Sequence, residues 1–180
     1  MSELTVLYVG SDHCASVYRN ILLIVADNDP RPEFINLLPQ WVNTLRENVT
    51  GPIGFVVVLP PHNPPPREEA RLTIKKAFQL FGESMSFAAF VVEKTGFAAA
   101  AQRAALTMAM LAARAPFAMK VFARVDEASR WIVGSYGRDA KLTARELDET
   151  VQKLRVAYAD KTLQAEKTLA GKTSQRTPTA

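Results

Sequence analysis

The chain has 180 residues, 48% of them hydrophobic, and a formal net charge of +4. This length allows one α/β domain with an appendage to bury a full core without disulfides or a metal. Cys14 is the only cysteine, which excludes an internal disulfide and fits a reducing compartment. No basic segment followed by a long apolar run opens the chain, so we expect a cytoplasmic protein without a signal peptide.

The distribution of charge argues against nucleic-acid binding. Residues 1–137 contain 13 Lys or Arg against 12 Asp or Glu, an excess of one. Residues 138–180 contain 9 against 6, an excess of three. The basic residues alternate with acidic ones and form no cluster with interleaved aromatic residues, which is typical of a solvated helix face.

The first 48 residues predict two strands and a helix. We expect strands over 4–9 and 20–26, with a turn at 10–16 that is rich in Gly and Ser. Apolar residues then recur at helical spacing over 33–48. Pro39 lies inside this helix and predicts either a kink or a first turn that is separated from the rest.

The most strand-like segment of the chain is Ile53 to Leu59, with the sequence IGFVVVL. Its apolar residues do not alternate with polar ones, so both faces of this strand should be covered and the strand should be central. The following residues, 60–66, include five prolines and predict an extended loop. An amphipathic helix is predicted over 67–81.

The next segment predicts a strand over 87–92, an Ala-rich helix over 97–115 and a strand over 119–125. Asp126 is the predicted N-cap of a short helix that precedes a linker at 134–137. The Ala-rich helix is the most apolar one, but four polar residues interrupt it and exclude a membrane span. These residues are Gln102, Arg103, Thr107 and Arg114.

A long C-terminal helix is predicted to begin at Thr143, because Thr143 and Glu146 have the spacing of a capping box. It should extend to about Lys167. Its apolar stripe consists of Leu147, Val151, Leu154 and Tyr158. This stripe is too short to establish a coiled coil. The other interpretation is that it docks on the Ala-rich helix, either in the same chain or in a second subunit. The predicted organisation is a domain over 1–137, a helical extension over 138–169 and a disordered tail over 170–180.

The order of these elements resembles that of the STAS domain, the fold of the bacterial anti-sigma-factor antagonists. The strand IGFVVVL enters a loop and a helix where that family keeps its functional site. The segment from Met119 to Ile132 (MKVFARVDEASRWI) is similar to the last strand and short helix of STAS-like proteins. The resemblance covers about residues 4–133. It implies a mixed five-stranded sheet with helices packed on it, and a role in signalling through protein binding.

The chain departs from the phosphorylated members of that family at one position. Those proteins place an Asp-Ser/Thr-Ser/Thr-Gly motif directly after the central strand, and a kinase modifies one hydroxyl group there. Here the corresponding stretch is LPPHNPPPR, and no Ser or Thr lies between Gly51 and Leu72. Phosphorylation of this loop is therefore not expected to switch the protein.

Asp12, His13 and Cys14 place an acid, a base and a thiol next to one another. A catalytic cysteine needs a base that contacts its sulfur, and adjacent residues in one turn rarely face each other. We therefore interpret these residues as structural residues of a turn. His62 and Asp27 do not complete a recognised metal-binding spacing with His13 and Cys14, so no metal or cofactor is expected.

The expected ligand or partner surface combines the loop after the central strand with the Ala-rich helix. Open α/β sheets bind ligands beyond the carboxyl ends of their strands, and a helix start offers free N–H groups to an anion. The candidate residues are His62, Asn63, Arg67, Arg71, Arg103 and Thr107. For the first four, the simpler interpretation is that the prolines stiffen the loop and that the arginines are solvated.

These observations favour a non-catalytic regulatory module of the STAS-like type that binds a protein partner or forms a homodimer. The alternative is a small-molecule or lipid-binding module with a pocket between the Ala/Met-rich helix and the sheet. An enzyme that uses His13, Cys14 or His62 is the third interpretation.

Overall fold

The computed structural model describes residues 4–28, 31–51, 53–63, 67, 68, 72, 85–136 and 142–174. Within these ranges, six strands form one mixed sheet in which the spatial order follows the chain. The strands are β1 (Thr5–Val9), β2 (His13–Tyr18), β3 (Ile21–Ala26), β4 (Ile53–Leu59), β5 (Met85–Val92) and β6 (Ala118–Phe122). The helices are α1 (Pro32–Asn48), α2 (Gly96–Ala113), α3 (Val125–Tyr136) and α4 (Ala144–Ser174).

The sheet is antiparallel at one end and parallel at the other. β1, β2 and β3 pair as an antiparallel meander, and β3 to β6 pair in parallel. Right-handed crossovers between successive parallel neighbours place their helices on one face of the sheet. α1 and α2 accordingly pack on the face that carries Leu22, Ile24, Phe55 and Val57, which we call the α1 face. α3 and α4 cover the opposite face, with Leu23, Val25, Val56 and Phe87, which we call the α4 face.

The mixed α/β class is confirmed, but the expected number of five strands is wrong. The segment 10–16, predicted to be a turn, contributes most of β2, which pairs with β1 on one side and with β3 on the other. Five of its six residues are buried. Strand formation here depends on neighbours that supply both the hydrogen bonds and the burial, which local composition does not encode.

The prediction that β4 is central is confirmed. It pairs with β3 and β5, and only its last residue, Leu59, is not fully buried. Val56 is 2% exposed and lies on the α4 face, whereas Val57 is 9% exposed and lies on the α1 face. β1 and β6 form the two edges of the sheet and are the more exposed strands.

The start of the C-terminal helix is as predicted, but its docking surface is not. Glu146 Oε2 accepts hydrogen bonds from the Thr143 backbone N–H (2.8 Å) and hydroxyl (2.9 Å). The Glu146 N–H donates in return to the Thr143 hydroxyl at 3.2 Å. The apolar stripe is buried, with Leu154 at 0% exposure. It packs in the same chain on the α4 face, whereas the Ala-rich helix α2 lies on the α1 face, so the predicted contact with α2 is wrong.

Several predicted boundaries shift or fall outside the described residues. α1 runs through Pro39 as one helix. α3 begins one residue before Asp126 and extends to Tyr136, so it includes most of the predicted linker. α4 extends to Ser174, into the predicted tail, whose remaining residues lie outside the described part. In the helix predicted over 67–81, only Glu68 and Leu72 are described as helical. None of the described helices has both the length and the apolar character needed to cross a bilayer.

Candidate functional site

Titratable side chains collect where the parallel strands end. Because β3, β4 and β5 are parallel, their carboxyl ends lie at one edge of the sheet, where antiparallel β2 begins. We call the group formed by Asp12, His13, Asp27, Arg31 and His62 the carboxyl-edge cluster. Ligands of open α/β sheets bind at such an edge, which makes this cluster the first candidate site.

The charged groups of the carboxyl-edge cluster are paired with one another. Asp12 Oδ2 lies 2.7 Å from Arg31 Nε, and Asp12 Oδ1 lies 3.1 Å from His13 Nδ1. Asp27 Oδ1 lies 3.3 Å from Nε2 of His62, whose side chain is 67% exposed. These contacts join the segments that follow β1, β3 and β4, but neither ring nitrogen of His13, which is 1% exposed, has a hydrogen-bond partner among the described residues.

Asn63 has a structural position at the same edge. It is 5% exposed, and its side-chain Nδ2 donates to the Ala26 carbonyl oxygen at 2.6 Å. Its backbone N–H donates to the Pro60 carbonyl oxygen at 3.0 Å. A buried amide that satisfies a strand-end carbonyl holds the loop after β4 against the end of β3.

His13 and Cys14 do not act on each other, because successive strand residues point to opposite faces. The His13 ring packs against Phe34 of α1, with 4.6 Å between the ring centroids. Cys14 belongs to the core on the α4 face and is fully buried. Burial raises the pKa of the Cys14 thiol to about 11, so the thiol is protonated at neutral pH. Among the described residues, no group of three or more His, Cys, Asp or Glu is arranged to hold a metal ion.

The structure separates the six predicted surface residues into different places. His62 and Asn63 lie at the carboxyl edge, and Arg67 is exposed. Arg103 donates from Nη1 to the carbonyl oxygens of Val92 (3.3 Å) and Lys94 (3.2 Å), so it closes the end of β5. The Thr107 hydroxyl donates to the Arg103 carbonyl oxygen within α2. Arg71 lies outside the described residues.

Helix α2 exposes an unusual amount of apolar surface. Phe97 is 90% exposed, Met108 is 66% exposed and Leu111 is 68% exposed. We call these three side chains and the exposed alanines between Ala98 and Ala112 the α2 surface. A large exposed apolar patch on a folded domain marks an interaction site more often than a scattered exposed leucine does.

A groove of about 450 Å³ lies between the C-terminal half of α2 and the edge strand β6. Its apolar wall consists of Met110, Leu111, Phe117, Met119 and Val121. Thr107 and Arg114 supply its polar side chains. The Lys120 ammonium group lies on the α4 face, 5.5 Å from the centroid of the Phe122 ring. Of the predicted surface residues that the structure describes, Thr107 is the one that lies at this groove, between the Ala/Met-rich helix and the sheet.

The chain around this groove has no acidic residue. From Lys94 to Val125 there is no Asp or Glu, but there are five basic residues. Arg124 is paired with Asp126, and no carboxylate of the described residues pairs with Arg114 or Lys120. A net charge summed over residues 1–137 hides this local excess, whereas a short sliding window along the sequence detects it.

Comparison with family models, with curated proteins and with solved structures found no match to this chain.

Proposed function

We propose that this chain is a non-catalytic, STAS-like regulatory module that acts by binding an acidic partner protein through the α2 surface. The observation that carries the proposal is the exposure of Phe97, Met108 and Leu111 on a helix whose surroundings are basic. Burial of large apolar side chains supplies most of the affinity of protein interfaces. Basic residues around them favour a partner with an acidic rim.

Charge also favours a different protein over a second copy of this chain. A twofold interface brings the same patch of both copies together. Two copies joined through the α2 surface would place the basic segment from Lys94 to Val125 against itself, without an acidic residue to compensate. Juxtaposed like charges oppose such an association.

Residues 52–71 contain no hydroxyl group that a kinase could phosphorylate. This supports recognition of the partner through the shape and charge of the surface. A partner of this module is selected by α2 and its basic surroundings, and the loop after β4 does not carry a phosphorylation switch. The pairing of Asp12 with Arg31 supports binding over catalysis, because this carboxylate already has a cationic partner.

A capture experiment with matched variants tests this proposal. Phe97→Glu and Met108→Glu should each weaken capture of the same acidic protein from the source cell at least tenfold, because each buries a charge at the interface. Val156→Glu is the control, since Val156 is 61% exposed on α4, on the other side of the sheet. Higher salt should also weaken the complex.

The proposal is wrong if the α2 variants capture the same proteins as wild type. It is also wrong if light scattering shows a dimer that Phe97→Glu dissociates, because the surface then binds a second copy. Binding to vesicles of anionic lipid that is lost in the α2 variants would assign the surface to a membrane and would equally overturn it.

A further inference from the structure

Strand β6 forms one edge of the described sheet. It pairs in parallel with β5, in a register that runs from Phe87 opposite Ala118 to Val91 opposite Phe122. No described strand pairs with its other side. The outer backbone N–H and C=O groups of an edge strand are a template to which an extended segment of another chain can be added. β6 therefore offers main-chain hydrogen bonds that no described strand takes up.

The two faces of β6 differ in chemistry, because successive strand residues point to opposite faces. Met119 and Val121 lie on the α1 face, where they line the groove between β6 and α2. Lys120 lies on the α4 face, where its ammonium group is 5.5 Å from the centroid of the Phe122 ring. Side chains of a strand added to β6 would lie beside these residues on the same two faces. Such a strand would meet an apolar groove on one face and a cation on the other.

The groove provides space for the apolar side chains of an added strand. Its volume of about 450 Å³ is within the range of binding clefts. Leu111, which is 68% exposed, lines this groove and also belongs to the α2 surface. The α2 surface and the edge of β6 are therefore continuous, and a partner that covers the first can reach the second.

Charge decides between a second copy of this chain and a different protein. The segment from Lys94 to Val125 has no Asp or Glu, and no carboxylate of the described residues pairs with Lys120 or with Arg114 at the groove. Lys120 is the middle residue of the five in β6, so antiparallel pairing of two copies along the whole strand would place Lys120 opposite itself. Like charges directly opposite each other destabilise a strand pair, and a lysine on an edge strand protects against self-association. A carboxylate beside Lys120 would be attracted instead.

We propose that the acidic partner adds an extended strand to β6, with apolar side chains in the groove and acidic side chains beside Lys120. Main-chain hydrogen bonds supply affinity in this mode of recognition, and alternate side chains supply specificity. This inference rests on the proposed function and deepens it, because it names the partner segment that is recognised. That segment alternates apolar residues with Asp or Glu.

Fluorescence anisotropy with labelled peptides and the full-length chain tests the proposal. The peptide EVEVEVE should bind, whereas KVKVKVK should not bind measurably, because its charges repel Lys120. EEVVVEE has the same composition as the first peptide and should bind at least about tenfold more weakly, because its valines cannot all lie on one face of a strand. In the complex with EVEVEVE, amide hydrogen exchange within residues 118–122 should slow, because the peptide pairs with these N–H groups.

Exchange of the charges provides the matched variant. Lys120→Glu should weaken binding of EVEVEVE at least about tenfold and should allow KVKVKVK to bind. Lys153→Glu reverses the charge of an exposed lysine on α4 and should leave the binding of both peptides unchanged. Phe97→Glu should also leave peptide binding unchanged, because Phe97 does not line the groove, although it should weaken capture of the whole partner.

Equal binding of EVEVEVE and EEVVVEE would overturn the proposal, as would unchanged peptide binding in Lys120→Glu or unchanged amide exchange in β6. If light scattering shows a dimer that EVEVEVE dissociates, a second copy occupies the edge and the proposal fails. If the peptides do not bind but Phe97→Glu weakens capture of the partner, strand addition is wrong and the proposed function stands. If the peptides bind as expected but Phe97→Glu captures the partner normally, docking through the α2 surface is wrong and the strand site stands.

Discussion

Side chains on the central strands determine how closely the α4 face is packed. Gly54 of β4 pairs with Phe87 of β5, and a Cβ at position 54 would collide with the Phe87 ring. The absence of a side chain allows this ring to lie over β4 and to stack on Tyr136, with 4.5 Å between the ring centroids. Phe87 is 1% exposed as a result. The same glycine that weakens strand propensity therefore permits a close aromatic contact between the sheet and α3.

Val56→Asp should destabilise the protein by at least about 3 kcal/mol, because it places an unpaired charge in a dry core. Val56 is 2% exposed and lies between Leu23 of β3 and Ala89 of β5, neither of which can compensate a carboxylate. Chemical denaturation measures the loss. Val156→Asp, at an exposed position of α4, is the control and should change stability little. A Val56→Asp protein with the wild-type denaturation midpoint would contradict the central placement of β4.

Helix α4 is held at its start by the capping box. Along its length it makes polar contacts with residues next to β2 and β5. The Tyr158 hydroxyl donates to the Ser11 carbonyl oxygen at 2.9 Å, and burial raises the pKa of this phenol. Arg155 Nη2 lies 2.6 Å from Glu93 Oε1, beyond the end of β5. Arg19 Nη2, after β2, lies 3.5 Å from Glu146 Oε1. These polar contacts fix the direction of a helix whose apolar stripe alone would tolerate sliding.

The stabilisation by the capping box should disappear in acid. The hydrogen bonds from Thr143, first the backbone N–H and then the hydroxyl, hold the pKa of the Glu146 carboxyl below its usual value. The folded-state pKa is thus lower than the unfolded one, so the contribution is fully present above the unfolded pKa and is lost as the pH falls through the folded pKa. Glu146→Ala should lower the melting temperature clearly at about pH 7 and much less at about pH 3.

Glu149→Ala is the matched control for this measurement, because Glu149 is exposed on the same helix and, among the described residues, pairs with the exposed Arg145. Its effect on the melting temperature should be small at both pH values. A Glu146→Ala effect that is as large in acid as at neutral pH would contradict the capping interpretation.

In the described part of the chain, the sheet lies between two unequal helical layers. On the α4 face, α3 and α4 share one buried core with the sheet. On the α1 face, α1 is well buried, whereas α2 leaves most of its apolar side chains exposed above the edge strand β6. The proposed docking surface results from the exposure of these α2 side chains. The carboxyl-edge cluster lies at the opposite end of the strands from the groove, since α2 and β6 meet where β6 begins.

Cys14 provides a reporter for the attachment of α4. Its thiol is fully buried on the α4 face and protonated, with a pKa of about 11, so iodoacetamide should react very slowly with the native protein. Leu154→Ala removes a fully buried contact and should cost about 2 kcal/mol or more, which raises the labelling rate of Cys14 roughly thirtyfold or more. Val156→Ala, on the exposed side of the same helix, should not change the rate. Equal labelling of the two variants would show that α4 does not protect the thiol.

The sequence by itself determined the elements whose signal is local. Continuous apolar runs identified β3, β4 and β5, because a strand covered on both faces needs no polar residues. The spacing of Thr143 and Glu146 located the start of α4, because the two reciprocal hydrogen bonds lie within one turn. The stripe of α4 was correctly predicted to be buried, since four large apolar side chains on one helix face are not left in water.

Only the tertiary structure decided the features that depend on contacts between residues far apart in the chain. β2 became a strand because β1 and β3 flank it, although a turn was predicted over 10–16. The α4 stripe was buried on the face opposite α2, because the hydrophobic effect has no direction and does not specify which apolar surface is covered. The crossover that returns α2 along the sheet placed Arg103 at the end of β5 and Arg114 beside β6. Spacing along the sequence cannot encode such positions, because the distance between side chains there is set by the packing of elements against each other.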